Sequence, residues 1–442
     1  MDNFALNHPY ENAIYLPATN TNYLNATDRA IKASRPWPTT LQPEDLAFWT
    51  GKSTLFNHSF ALHSVGSYGV GKFVSSPLFD RLDGPYWLVG DSGGFQIGKG
   101  TLKGLENLHK GMDGEAAEVA WYDNKDAVTW ITGALNTNFD YAMTVDMPLW
   151  ATTTSGKDSP FHNCTEEQLL RMTLRNLDRI IASESTSVKW LNVVQGTTLQ
   201  NSINWYHSVK NYPFSGWSLA GAASWRGGLK NFLHVLLTMR DDGAFEPGRD
   251  WIHMLGVSQP IWDVIFTRCQ MHLRNINPNI QISYDSASPF ITAGVFNQVA
   301  DMPALGKNLK EWRVKFNKFD GVRSFSDASK NIPFMPNTSP ISQHIYMHHI
   351  VIKDDDFESN RLDDVSNQLL INHNIWIYLD AGRRANEIVK NSFNELPPLL
   401  ASALTAIDLA FTSDDWKSVL DQWSKDLNEL APNKFTKLHP LH

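Results

Sequence analysis

Residues 86–94, "YWLVGDSGG", run from apolar, β-prone positions straight into a polar, glycine-rich turn. The same grammar returns in "FDYAMTVDMP" (139–148), "WLNVVQGTT" (190–198), "GWSLAGAAS" (216–224), "WIHMLGVSQP" (251–260) and "IQISYDSASP" (280–289). Short apolar runs bounded by turn residues read as strands buried on both faces. Helical patterns lie between them. "TEEQLLRMTLRNLDRII" (165–181) opens on Thr165 with Gln168 three residues on, a capping box. Its Leu170, Leu174, Leu177 and Ile181 recur at helical spacing. "LKNFLHVLLTM" (229–239) and "PIWDVIFTRCQMHL" (260–273) behave alike. This alternation predicts an α/β fold with a parallel sheet, closed as a (β/α)8 TIM barrel, with a doubly wound sheet as the alternative. Either fold places chemistry at the carboxyl ends of the strands, where Asp91, Asp146, Gln195 and Asp285 fall.

Around this core the rhythm fades. Residues 1–80 carry Pro and Asn clusters and read as an irregular extension covering the barrel; residues 81–330 read as the catalytic core. Residues 331–442 read as a helical region completing the barrel, with "ISQHIYMHHIVI" (341–352), residues 363–389 and an acidic stretch at 413–430 all helical. The chain has 442 residues, 42% of them hydrophobic, enough for a substantial core. Its 16 Trp and 23 Phe favour aromatic packing or base stacking. A net charge of −8 argues against a generally basic coat but leaves room for a local basic groove. Two Cys, Cys164 and Cys269, exclude a disulfide framework and a Cys-rich zinc site. The opening "MDNFALNHPY" has no signal-peptide pattern, and no run of about 18 apolar residues occurs. A soluble, cytoplasmic protein is expected.

Three motifs compete with the strand ends. "GSYGVGKF" (66–73) fits G-x-x-x-x-G-K, but Phe73 stands where a P-loop needs Ser or Thr to hold Mg²⁺. A glycine-rich loop is the better reading. His348 and His349 are adjacent and point about 100° apart on a helix, so they do not share an ion. "GDSGG" (90–94) looks like a serine-protease turn, yet it is not the G-x-S-x-G elbow, and Ser92 reads as a neighbour of the working residue.

The neighbouring candidate is Asp91. With Asp146 and Asp285 it gives three carboxylates at strand ends, and a barrel brings strand ends to one cleft. Two carboxylates facing a sugar C1′ support double displacement with retention, one attacking and the other managing the leaving group's proton. Gln195 adds an amide able to read a donor–acceptor edge, and Phe95 a flat face for a base. Any one of these Asp residues alone would read equally well as an N-cap or as the partner of a buried Arg.

Taken in order, the segments resemble the tRNA-guanine transglycosylase family. "DSGGFQ" (91–96) matches that family's signature almost letter for letter. "FDYAMTVDMP", "VVQG" (193–196), "WSLAGAAS" (217–224), "HMLGVSQP" (253–260) and "YDSASP" (284–289) are similar to its later motifs, as are "HIYMHH" and "NHNIWIY" near the C-terminus. The resemblance implies Asp285 as nucleophile and Asp91 as general acid/base. It implies a base pocket of Ser92, Phe95, Asp146, Gln195, Gly196, Ser218 and Leu255. The chain departs from the family in two places. "FMPNTSPIS" (334–342) holds no Cys where the family carries C-x-C-x-x-C, leaving His373 as the one matching ligand, so no zinc is predicted. The Arg that follows the nucleophile motif is also missing. These departures look most like the phage-type 7-deazaguanine DNA transglycosylases, a branch that exchanges guanine in DNA for a 7-deazaguanine such as preQ0. The implied partners are DNA and a free 7-deazaguanine base, with no cofactor and no membrane.

A basic, aromatic-laced stretch follows the nucleophile: Lys307, Lys310, Arg313, Lys315, Lys318 and Arg323 alternate with Trp312, Phe316 and Phe319. It reads as a phosphate-contacting element, or as an ordinary amphipathic segment with a solvated face. Two further functions stay open: a tRNA-guanine transglycosylase without zinc, and a non-catalytic barrel that binds nucleic acid.

Overall fold

A computed structural model describes residues 10–25, 37–79, 87–183, 187–318, 338–352 and 362–430. Eight parallel strands close a barrel in chain order. They are β1 (Ile14–Thr19), β2 (Phe60–Ser64), β3 (Trp87–Asp91), β4 (Tyr141–Met143), β5 (Lys189–Val194), β6 (Gly216–Leu219), β7 (Trp251–Met254) and β8 (Gln281–Ser286). β1 closes the ring on β8, with Leu16 opposite Asp285. Around it run α1 (Gly94–Lys99), α2 (Gly114–Asp123), α3 (Lys125–Asn138), α4 (Glu166–Ala182), α5 (Leu199–Val209), α6 (Leu229–Asp241), α7 (Pro260–Leu273) and α8 (Ser288–Gly294). An antiparallel hairpin follows, β9 (Gln298–Asp301) with β10 (Lys315–Lys318). The chain then turns helical: α9 (Asp364–Asn391), α10 (Pro398–Thr412), α11 (Trp416–Gln422) and α12 (Ser424–Glu429).

The (β/α)8 expectation holds, and two details differ from the sequence reading. The first 80 residues, expected as an irregular cover, contribute β1 and β2. β1 contains Pro17, and among the described residues no long helix follows either strand, so neither shows the strand–helix rhythm. Residues 341–352, expected as helix, form two 3₁₀ turns and a bridge from Ile352 to Leu362. There the His349 ring accepts a hydrogen bond from the Tyr346 amide at 2.9 Å, and β-branched residues 350–352 favour extended backbone.

The barrel interior fixes which residues face the mouth. Ile14, Leu16, Phe60, Leu62, Val89, Tyr141, Met143, Leu191, Val193 and Trp251 form one buried cluster inside the ring. Side chains alternate along a strand, so the residue two positions beyond an inward one also points inward. That rule carries Val89 to Asp91, Val193 to Gln195, and Trp251 to His253 and then Leu255. On β8, Ser283 and Asp285 pair with the inward Ile14 and Leu16.

The outer layer supports the rim. α4 has its capping box, with the Thr165 amide donating to Gln168 Oε1 at 2.8 Å and the Gln168 amide to Thr165 Oγ1 at 3.2 Å. Its buried stripe is Leu169, Met172, Thr173, Asn176, Leu177 and Ile180, one residue off the expected one, and Ile181 is exposed. The shift turns two polar side chains inward, and both hold the chain beyond β4. α9 packs on α7 and α8. It comes so close that a Cβ on Gly382 would lie 2.0 Å from Asp263 Oδ2. Among the described residues, no helix is long and apolar enough to cross a membrane.

Candidate active site

Asp285, on β8, is held through Oδ1. Its Oδ1 accepts the Gly256 amide at 2.8 Å and lies 3.2 Å from His253 Nε2. Behind the imidazole, Nδ1 lies 2.8 Å from Ser283 Oγ, which accepts Trp251 Nε1 at 2.7 Å. Indole N–H only donates and carboxylate only accepts, which sets the direction in the neutral ring. Trp251 donates to Ser283, the Ser283 hydroxyl to Nδ1, and Nε2–H to Asp285. His253 is fully buried. Asp285 Oδ2 accepts no hydrogen bond among the described residues.

Asp91 ends β3 and accepts hydrogen bonds from the Ser64 side chain and the Gly93 amide. Burial raises its pKa and the charge of Asp285 raises it further, while the hydrogen bonds from Ser64 and the Gly93 amide work against the rise. The two carboxylates are therefore close enough to sense each other.

Asp146 lies just past β4 on a segment tied down on several sides. Asn176 Nδ2 donates to Val145 O at 3.0 Å, and the Met147 amide donates to Thr173 Oγ1 at 2.9 Å. Gln195 Nε2 donates to Asp146 Oδ2 at 2.6 Å and to Met147 O at 2.9 Å, and Gln195 Oε1 accepts the Leu149 amide at 2.9 Å. Both amide hydrogens of Gln195 are thus engaged inside the protein, and its part here is to fix Asp146. The free side of Asp146 faces Gly94, where a Cβ would sit 3.6 Å from Oδ1. Burial, then the charge of Asp91, pushes the Asp146 pKa up to about 7.

The other expected residues are spread around this centre. Ser92 is buried and its hydroxyl donates to Thr144 O at 3.2 Å. Phe95 is 55% exposed and pairs with Trp150 at 5.8 Å, with Lys99 Nζ 5.5 Å from the Trp150 ring. Leu255 lines the upper interior, half-buried against the inner cluster. Gly196 is a packing glycine, since a Cβ there would lie 2.2 Å from Ser202 Oγ. Ser218 sits deeper, within the sheet between Val193 and His253, and its buried hydroxyl has no partner among the described residues. Sequence reasoning passes over His253, Ser283, Asn176, Thr173 and Trp150. An inward His or Ser in an apolar strand is the available signal for the first two.

The basic stretch forms the β9–β10 hairpin and its connection. Lys307, Lys310, Lys315 and Lys318 are exposed and Arg313 is partly buried; Arg323 and Phe319 lie outside the described residues. Trp312 is fully buried and Phe316 packs near Tyr378, so these two rings belong to the core. The Val314 amide donates to Gln259 Oε1 at 3.1 Å, which ties the hairpin to the carboxyl end of β7. His373 is pinned by Ser339 Oγ at 2.7 Å and Ala300 O at 2.9 Å. Among the described residues no group of three or more His, Cys, Asp or Glu is placed to hold a metal ion.

No protein-family model and no curated protein matches the chain.

Proposed function

We propose that this protein is a base-exchanging guanine transglycosylase that acts on DNA and installs a 7-deazaguanine base such as preQ0. One observation carries the reading. Across a single barrel mouth stand Asp146, fixed by Gln195 and open toward Gly94, and Asp285, with one oxygen held and the other bare among the described residues. The first suits a base edge that presents two donors, and the second suits attack on a sugar carbon.

The chemistry follows from these placements. A guanine nucleotide leaves its stack and enters the mouth, at a cost of a few kcal/mol. Ionised Asp146 accepts the N1–H and 2-amino hydrogens. Asp285 attacks C1′, the C1′–N9 bond breaks, and its electron pair departs on guanine. Asp91 passes the proton to the departing guanine and later takes the N9 proton of the incoming base. Two inversions at C1′ restore the starting configuration. DNA is favoured over tRNA because the sequence lacks both the cysteine cluster and the Arg after the nucleophile motif.

The test uses guanine-labelled DNA and guanine-labelled tRNA, each incubated with the full chain and preQ0. Release from DNA supports the proposal, release from tRNA alone moves the substrate to RNA, and release from neither refutes a transglycosylase. Asp285→Ala is expected to abolish both exchange and a denaturation-resistant protein–DNA adduct; retained exchange overturns the nucleophile assignment.

A further inference from the structure

The barrel interior holds a polar chain that stands behind the proposed nucleophile: Trp251, Ser283 and His253, ending on Asp285 Oδ1. We infer that His253 is a positioning residue that reserves Oδ2 of Asp285 for attack on the sugar and favours the release of the covalent intermediate. The inference rests on the transglycosylase reading and assigns a further residue to it.

The geometry chooses the oxygen. Oδ1 already meets two donors, His253 Nε2 at 3.2 Å and the Gly256 amide at 2.8 Å. Oδ2 meets none among the described residues, and the side chain keeps 11% of its surface open to solvent. Attack therefore runs through Oδ2. The Oδ2–C1′ bond forms, the C1′–N9 bond breaks, and Oδ1 becomes the carbonyl oxygen of a glycosyl ester.

The same two donors then act on the next step. Hydrogen bonds to a carboxylate are stronger than those to a neutral carbonyl. His253 and Gly256 accordingly stabilise the free carboxylate more than the ester. When the incoming base attacks C1′, the Oδ2–C1′ bond breaks and its electron pair returns to the carboxylate, where both donors are waiting. The chain behind His253 keeps its hydrogen on Nε2. Trp251 occupies a lone pair of Ser283 Oγ, and the Ser283 hydroxyl then donates to Nδ1. His253 has no solvent exposure and Ser283 none, so water does not compete for these positions.

The consequence runs opposite to that of a structural residue. Damage to the scaffold lowers adduct and turnover together. Removing the His253 donor raises the amount of adduct at equilibrium while lowering turnover. The gap between a charged and a neutral acceptor corresponds to about tenfold in the adduct equilibrium.

The test mixes the full-length protein with guanine-containing DNA, and with RNA of the same sequence, at fixed free guanine, and quantifies denaturation-resistant adduct at equilibrium beside the exchange rate. His253→Phe keeps a ring and loses the donor. It should raise the adduct equilibrium constant about tenfold and slow exchange. His253→Gln, which can place an amide N–H near Nε2, should restore much of the exchange rate. Ser283→Ala, a smaller change that frees the tautomer, should fall between wild type and His253→Phe and covers the case in which the Phe variant fails to fold. If wild type forms no adduct with either nucleic acid, the transglycosylase reading fails and this inference with it. If wild type forms adduct and the variants give equal or less, the role of His253 alone is refuted.

Discussion

Asp146 gives the most quantitative handle on the site. Only its ionised form can accept both the N1–H and the 2-amino hydrogens of a guanine-type base. Burial is the larger cause of its raised pKa and the charge of Asp91 the second, and together they bring it to about 7. Roughly nine-tenths of the sites are then ionised at pH 8 and roughly one-tenth at pH 6, so base affinity should fall about tenfold across that interval. Isothermal titration of preQ0 into the free protein reads this directly. Asp91→Asn removes the second cause, so its midpoint should move below that of wild type, toward lower pH. Asp146→Asn should bind weakly at every pH, with no midpoint. A flat wild-type profile between pH 6 and 8, or a midpoint unmoved by Asp91→Asn, refutes the assignment of Asp146 as the ionised acceptor coupled to Asp91.

The same group predicts a stability effect. Folding raises the Asp146 pKa from 3.8 to about 7, so the folded chain binds more protons than the unfolded one across that window. Stability from this group is greatest below pH 4 and declines as pH rises to about 7. Asp146→Asn should therefore raise the melting temperature at pH 8 and change it little at pH 4. Ser218→Ala removes a buried hydroxyl without a partner among the described residues and should stabilise the fold by about 1 kcal/mol, read as a higher denaturant midpoint at unchanged slope. Replacing Lys307, Lys310, Lys315 and Lys318 with Gln should weaken DNA binding and flatten its salt dependence, by about 0.9 in log–log slope for each phosphate that is no longer neutralised. An unchanged slope removes the hairpin from the DNA path.

What can be read from the sequence divides along the range of the interactions. β3 and β8 announce Asp91 and Asp285 because a period of two and a terminating turn are local signals. The capping box that starts α4 is equally local. The buried stripe of α4 lies one residue from its expected place because Thr173 and Asn176 look like surface positions until their partners, Met147 and Val145, are known. β1 and β2 escape a sequence reading because the strand–helix rhythm is missing around them among the described residues, and pairing with β8 and β3 sets their place in the ring. Gln195 looks like a free reader of bases until the Asp146 segment folds over it and takes up its amide. In each case the missing information is an interaction between residues far apart in the chain.

His253 shows why such long-range interactions matter for function. A polar side chain inside a barrel costs stability unless it is hydrogen-bonded, about 1–3 kcal/mol for each unsatisfied group. Trp251 Nε1, Ser283 Oγ and both nitrogens of His253 offset that cost against one another, and their chain ends on Asp285, whose second oxygen is bare among the described residues. Aliphatic residues would fill the same volume without needing partners. Ser218, in the same interior, has a buried hydroxyl without a partner among the described residues and belongs to no such chain. The neighbours therefore differ in kind. Ser218 stands alone, whereas the chain through His253 is directional, and its direction is what leaves Asp285 Oδ2 as the oxygen free to meet a substrate.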